Sequence, residues 1–424
     1  MFIIKDGGHR LFEHDEETAT IVGTMLLDLE KNGMDAVRKY SRNLDDWDPP
    51  SFELTKKEII EARESCSSQL IEDTLFCQEN VRRFAEAQLQ TLQPLEVEIH
   101  PGVTLGHKHI PIQRVGSYIP GGRYPMFGSA QMSIIPAKTA GVRTVIACTP
   151  PVRGKGYYPA TVQAIDSAEA DRIFILGGVQ AFALMAFGMG EVEPVDMLCG
   201  AGNRFVAEAK RQLFGRCGID LLAGPTEIGI ICDDAADPEL VACDLLGQAE
   251  HDPNSGQILI CLGEKHAKDV LVELERQLVV LPTKEIARQS WQQYGKVIVA
   301  ESREEAISLM DDYAPEHLEL LVSDTQWYTD RLTNYGSLFI GEETTVAYGD
   351  KSIGTNHILP TSRAARYTGG VWVGKFLKTV TYQRATKKAS VEIARVTSRQ
   401  CREERMIGHA LTAEMRLKKF EASI

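Results

Sequence analysis

A chain of 424 residues in which 43% of the side chains are hydrophobic exceeds what one core usually covers, so two or more domains are expected. Its 46 Lys and Arg against 59 Asp and Glu leave a net charge of -13, which argues against broad contact with nucleic acid or anionic lipid and favours a small-molecule partner. No apolar run approaches the roughly 18 residues of a bilayer span, the start MFIIKDGGHR lacks a secretory h-region, and nine cysteines without a CxxC pair support neither a disulfide framework nor a thiolate zinc site, so a cytoplasmic protein is expected.

Residues 1–15 read as an N-terminal extension. From residue 14 to 92, charged and apolar positions alternate at helical spacing, as in TIVGTMLLDLEKNGMDAVRKY and TKKEIIEARESC, with few glycines. This predicts a helical N-terminal region. From about Val115 the chain turns to Gly, Pro and short β-branched runs. Helix-like SAQMSIIPAKTAG, YPATVQAIDSAEA and VQAFALMAFG alternate with strand-like RTVIACTPP, RIFILGG and VDMLCGAGN. A second series follows, with strands in EIGIICDD, GQILICLG and GKVIVA and helices in PELVACDLLGQAEH, KHAKDVLVELERQL and REEAISLMDDY. Such alternation predicts an α/β protein of two doubly wound, Rossmann-like domains with mainly parallel sheets and helical extensions at both ends. The expected division is a first domain at 16–114 plus 232–370, a second at 115–231, and a C-terminal helical segment at 371–424.

Two joints in the second domain run from a strand through glycines into a helix: RIFILGGVQAF, closed by Gly188, and VDMLCGAGNRF, closed by Gly215. That layout lets backbone N–H groups meet a phosphate at a helix N-terminus. The dinucleotide fingerprint is broken, since Phe205 stands where the third glycine belongs, so nucleotide binding and ordinary tight turns both stay open. From Lys351 to Val391 the chain carries eight Lys and Arg and no carboxylate. These cations either face acidic surfaces elsewhere or form an anion-binding wall.

Candidate chemistry lies in four places. In LLGQAEH, Gln248 and His251 are three apart and would share one helical face, either as metal ligands or as surface polarity. Glu316 and His317 follow Pro315 at a turn into an apolar run, Asp350 and His357 sit among turn residues in GDKSIGTNH, and Glu404 and His409 stand at helical spacing in EERMIGHA. Four of ten histidines beside acidic or amide groups is the kind of clustering by which separate segments build one site, but spacing alone does not decide it.

From about Arg114 to His409 the sequence resembles the histidinol dehydrogenase family in SYIPGGRYP, GGVQAF, CGAGN, AGPTE, LLGQAEH, APEHLE and GTNHILPT, seven separated motifs in the same order. The resemblance implies one Zn2+ per subunit held by Gln248, His251, Asp350 and His409, an acid/base pair at Glu316 and His317, and NAD contacts at Tyr118, Gln180 and Asn203. It places substrate contacts at Thr226, His317, His357 and Glu404, with Thr226 standing where the family usually has Ser. It also implies a homodimer with shared active sites, in which the C-terminal segment crosses to the partner. The implied reaction is a four-electron oxidation: His317 takes a proton from the alcohol, hydride passes to NAD, and water activated by Glu316 adds to the bound aldehyde before a second NAD is reduced.

Two departures bear on the substrate. After the implied ligand Asp350 the chain reads Lys-Ser-Ile-Gly-Thr-Asn-His357 where histidinol dehydrogenases generally read YASGTNH, and ARYTGGVWVGKFLKTVTYQ also differs from their pattern. Both look more like the branch containing sulfopropanediol 3-dehydrogenase, which oxidises 2,3-dihydroxypropane-1-sulfonate to 3-sulfolactate. A sulfonate asks for cations, and Lys351 is the one nearest an implied ligand, so it is expected to touch the substrate anion. Glu404 pulls the other way, toward the cationic L-histidinol. Another small hydroxylated anion, or a zinc-binding protein without catalysis, completes the alternatives.

Overall fold

Short apolar strands separated by helices of ten to fifteen residues can bury both faces only in a parallel sheet covered on each side. Two such sheets form. The structure, a computed structural model, describes residues 1–8, 15–121, 124–152 and 156–422. Residues 9–14 of the expected N-terminal extension, and Gly122 and Arg123 of SYIPGGRYP, lie outside the described residues. The chain divides into one compact unit of 1–87 with 112–376 and another of 88–111 with 377–424.

In the larger unit, a five-stranded parallel sheet is ordered Arg172–Ile175, Thr144–Thr149, Arg114–Tyr118, Met197–Cys199, Gly218–Ile219. Counted along the chain this is 3-2-1-4-5. A six-stranded sheet repeats the order with Gly295–Val299, Gly256–Cys261, Glu227–Cys232, His317–Leu321 and Ser337–Ile340, and adds Phe2–Lys5 antiparallel at one edge. Its two central strands, Glu227–Cys232 and His317–Leu321, are buried at every position. Glu227, His317 and Glu319 are therefore polar side chains enclosed in an apolar layer, a placement that calls for a reason.

The N-terminal helices differ from expectation. Glu16–Asp45, capped by Asp15 and kinked at Gly33, packs on Gly178–Phe187 and Arg204–Leu213, and Lys56–Glu64 packs on Pro159–Ser167. They thus cover the five-stranded sheet, although the sequence groups them with 232–370. An amphipathic stripe tells that a helix covers a sheet without telling which sheet.

The smaller unit contains an antiparallel sheet ordered Leu377–Ala385, Val103–Pro111, Leu95–His100, with helices Lys387–Glu403 and Ile407–Glu421 packed against one another. The C-terminal segment expected to be helical from 371 therefore holds a nine-residue strand, Leu377–Ala385, before its helices. Its partner, Val103–Pro111, lies far away in the sequence, and no local turn signal announces such pairing.

Candidate active site

Glu227–Cys232 and His317–Leu321 are neighbours in the six-stranded sheet, with His317 in register with Ile228, so the residues at their amino-terminal ends meet. The turn at Pro315 delivers His317 as the first residue of a central strand not expected from the sequence. Glu316 Oε2 accepts from Thr226 Oγ1 at 2.5 Å and from the Glu227 N–H at 3.0 Å. Thr226 Oγ1 in turn accepts from Gln248 Nε2. With its nitrogen committed, the Gln248 amide turns its carbonyl oxygen, the one atom of the group able to ligate a cation, the other way.

Gln248 stands in the last turn of helix Pro238–Ala249, and His251 lies just past its end, with its N–H reaching back to the Gln248 carbonyl at 3.4 Å. The two are not on one continuous helical face. Pro253 disfavours helix at the residue before it, and the chain leaves the helix ahead of that point. Asp350 also departs from expectation: it is buried in a short helix, Val346–Lys351, and not on a solvated loop.

The histidines are distinguished by what their nitrogens meet. His357 has both engaged, Nδ1 with the Asp350 carbonyl at 3.0 Å and Nε2 with Ser129 Oγ at 3.0 Å. His317 Nδ1 donates to the Glu227 carbonyl at 2.9 Å, which makes Nε2 the basic nitrogen, and that atom is buried with no hydrogen-bond partner among the described residues. Asp350 Oδ1 lies 3.9 Å from it, and Glu316 Oε2 lies 3.4 Å from Nδ1. Burial lowers the pKa of His251, His317 and His357, and in each case Asp350 opposes the shift. One carboxylate thus lies among three imidazoles held toward the neutral, ligating form. Burial pushes Glu316 up to about 8, against the hydrogen bonds from Thr226 and Glu227.

Among the described residues no group of three or more His, Cys, Asp or Glu side chains has metal-ligating geometry. The larger unit nonetheless offers an amide oxygen at Gln248, the imidazole of His251 and the carboxylate of Asp350, a donor set that fits a divalent cation such as zinc and falls one ligand short of four. Glu404 and His409 belong to the smaller unit, both exposed. They do not share a helix: Glu404 caps Lys387–Glu403, Arg405 takes a left-handed conformation (φ 60°), and His409 stands in the first turn of Ile407–Glu421.

The residues expected to contact a dinucleotide line the carboxyl edge of the five-stranded sheet. Tyr118 Oη accepts from the Gly178 N–H at 3.1 Å, and Asn203 Oδ1 caps helix Arg204–Leu213 through the N–H groups of Phe205 and Val206. Gly200 has φ 124°, and a Cβ there would lie 2.2 Å from the Tyr118 carbonyl oxygen, so this turn admits only glycine. Lys210 and Asp220, both buried, hold it: Lys210 Nζ pairs with Asp220 and donates to the Gly200 carbonyl at 2.9 Å, while Asp220 accepts from Gly200 N–H at 2.8 Å and Leu221 N–H at 2.7 Å. The carboxyl edge of this sheet adjoins the amino edge of the other through the Ser129–His357 bond.

Several participants carry no signal in spacing or composition. Glu319 accepts from the Val346 N–H at 3.0 Å and faces the Asp244 carboxyl, which accepts from Thr345 Oγ1 at 2.9 Å. These contacts join the helix bearing Gln248 to the helix bearing Asp350. Asp244 lies one helical turn before Gln248, and that spacing was the single hint available. Replacing Glu319 with Ala is expected to cost about 1–3 kcal/mol by leaving Val346 N–H unpaired, and to weaken zinc retention, as measured by thermal melts and chelator competition.

Among known proteins, the chain matches the histidinol dehydrogenase family model over residues 9–417. It is 53% identical to a histidinol dehydrogenase homolog of Shouchella clausii, over 94% of each chain. It is 45% identical to the sulfopropanediol 3-dehydrogenase of Ruegeria pomeroyi, over 94% of this chain and 92% of that one. The crystal structure of histidinol dehydrogenase from Elizabethkingia anophelis matches with a TM-score of 0.92 at 34% identity, over 97% of this chain and 95% of the other.

Proposed function

The chain belongs to the histidinol dehydrogenase family, and we propose that within it this protein oxidises 2,3-dihydroxypropane-1-sulfonate to 3-sulfolactate through a bound aldehyde, reducing two NAD. Members of the family are NAD-dependent oxidoreductases that act on CH–OH groups with one Zn2+ per subunit. The observation that carries the chemistry is the Nε2 of His317, buried without a hydrogen-bond partner among the described residues.

His317 takes the hydroxyl proton on Nε2, while the bond from Nδ1 to the Glu227 carbonyl fixes the tautomer that makes this possible. Asp350 stabilises the imidazolium that results. Glu316, oriented by Thr226 and the Glu227 N–H, exchanges a proton with the water that adds to the aldehyde. Gln248, His251, Asp350 and His409 are the proposed zinc ligands, and zinc there would act as a Lewis acid on the substrate oxygen. Tyr118, Gln180 and Asn203 are assigned to NAD, and His357 and Glu404 to the substrate. His409 and Glu404 are assigned to a site shared in a homodimer. Ile407, Leu411 and Met415, four apart on one helix, are 49%, 49% and 72% exposed, an apolar stripe suited to a second subunit.

The sulfonate is favoured by charge. Arg363 is paired with Asp312 at 2.6 Å and Arg384 with Glu96 at 2.6 Å, whereas Lys351, like Arg366, Lys375, Lys378, Lys387 and Lys388, has no ion pair among the described residues. Its charge helps depress His251 and His357, so it borders the proposed site and is available to a substrate anion. Glu404 is the observation that favours L-histidinol as the second reading. The test is NADH formation by zinc-loaded protein with each compound. About two NADH per sulfonate and none with histidinol is expected; the reverse result would overturn the assignment. No helix among the described residues is long and apolar enough to cross a membrane, and a cytoplasmic location is part of the proposal.

A further inference from the structure

The carboxyl edge of the five-stranded sheet carries an acid that the chemistry above does not use. Asp45 ends helix Glu16–Asp45, where Asp46 in a left-handed conformation (φ 53°) turns the chain. Asp45 Oδ2 accepts from Gln180 Nε2 at 2.9 Å and lies 3.4 Å from where a side chain on Gly177 would begin, a point that Pro150 also crowds. It therefore sits at the ends of Thr144–Thr149 and Arg172–Ile175, the second and third strands in chain order. Asp45 is half-buried and forms no ion pair among the described residues, and burial raises its pKa.

Its surroundings are shaped for a ligand. Tyr118, from the end of the first strand, reaches across to the Gly178 N–H. Gln180, whose nitrogen is fixed by Asp45, leaves Oε1 buried without a partner among the described residues. In a sheet ordered 3-2-1-4-5 a dinucleotide lies across the carboxyl ends at the point where strand order reverses, here between Arg114–Tyr118 and Met197–Cys199. An acidic residue near the end of the second strand then takes the adenosine ribose hydroxyls. In this chain that end reads Thr149-Pro150-Pro151 and has no acid. Asp45 brings one to the same place from a helix distant in sequence.

We propose that Asp45 accepts a hydrogen bond from the 2′-hydroxyl of the adenosine ribose of NAD and, by its charge, turns away the 2′-phosphate of NADP. The inference rests on the family's use of NAD. Its test compares the wild type with Asp45→Asn, which keeps the shape and an oxygen able to accept from Gln180. Dissociation constants for NAD, 2′-deoxy-NAD and NADP are measured by calorimetry on zinc-loaded protein, without substrate. The wild type is expected to bind NAD about 10- to 100-fold more tightly than either analogue, and Asp45→Asn to narrow that gap to a few-fold. Equal weakening of all three, or no change, would mean that Asp45 acts only on Gln180 and would overturn the inference while leaving NAD binding in place. A wild type that binds none of the three would remove the NAD site itself.

Discussion

Replacing His317 with asparagine is expected to lower kcat by about 10²- to 10⁴-fold while leaving NAD affinity and the melting temperature close to those of the wild type. Asparagine keeps a donor for the Glu227 carbonyl, so the first position of the strand stays tied to its neighbour. What is lost is the basic Nε2, which no side chain among the described residues satisfies. Because proton removal belongs to the transition state, kcat and kcat/KM should fall together with little change in KM. Steady-state kinetics with the accepted alcohol decide the matter. A variant retaining more than about a third of wild-type kcat would move the base to another residue.

Removing the Lys210 ammonium, as in Lys210→Met, is expected to destabilise the protein by about 3–5 kcal/mol. The pair is enclosed on all sides, with side-chain exposures of 2% and 0%, so the remaining Asp220 carboxylate would be a buried charge without its counter-ion. Asp220 would keep the N–H groups of Gly200 and Leu221, but the Gly200 carbonyl would lose its donor. The double variant Lys210→Met/Asp220→Asn should recover much of the loss, because it removes the charge and retains an acceptor for one N–H. Urea denaturation of the three proteins tests both statements. A single variant within about 1 kcal/mol of wild type would show that water reaches the pair. NAD binding should weaken along with stability, since the Gly200 turn borders the proposed cofactor site.

The order of strands and helices was readable because short β-branched runs and apolar helices differ in length and period. RTVIACTPP, EIGIICDD and GQILICLG each contain the strand expected of them. What could not be read has a common physical cause, pairing between segments remote in sequence. Phe2–Lys5 joins the sheet beside Gly295–Val299, and Val103–Pro111 pairs with Leu377–Ala385. The site shows the same division. Gln248, His251, Glu316, His317 and Asp350 stood out through motif resemblance, whereas Glu319, Lys210 and Asp45 act through contacts that no spacing predicts. The strand His317–Leu321, which starts just after the turn at Pro315, was not read because HLELL mixes polar and apolar residues, and burial of both faces overrides that alternation.

His317 is held in a parallel ladder on both sides, in register with Ile228 and with Ser337. The segment from 352 to 363, which follows Asp350 and includes His357, belongs to no strand or helix. A substitution that shifted His317 would have to break ladder hydrogen bonds, while one in the segment changes local side chains without altering a register. On the proposed roles of His317 and His357, a change of substrate would therefore fall on the segment and the adjoining Lys351, while the strand that carries the base stays as it is. Libraries aimed at new alcohols belong in that segment and should leave the strand alone.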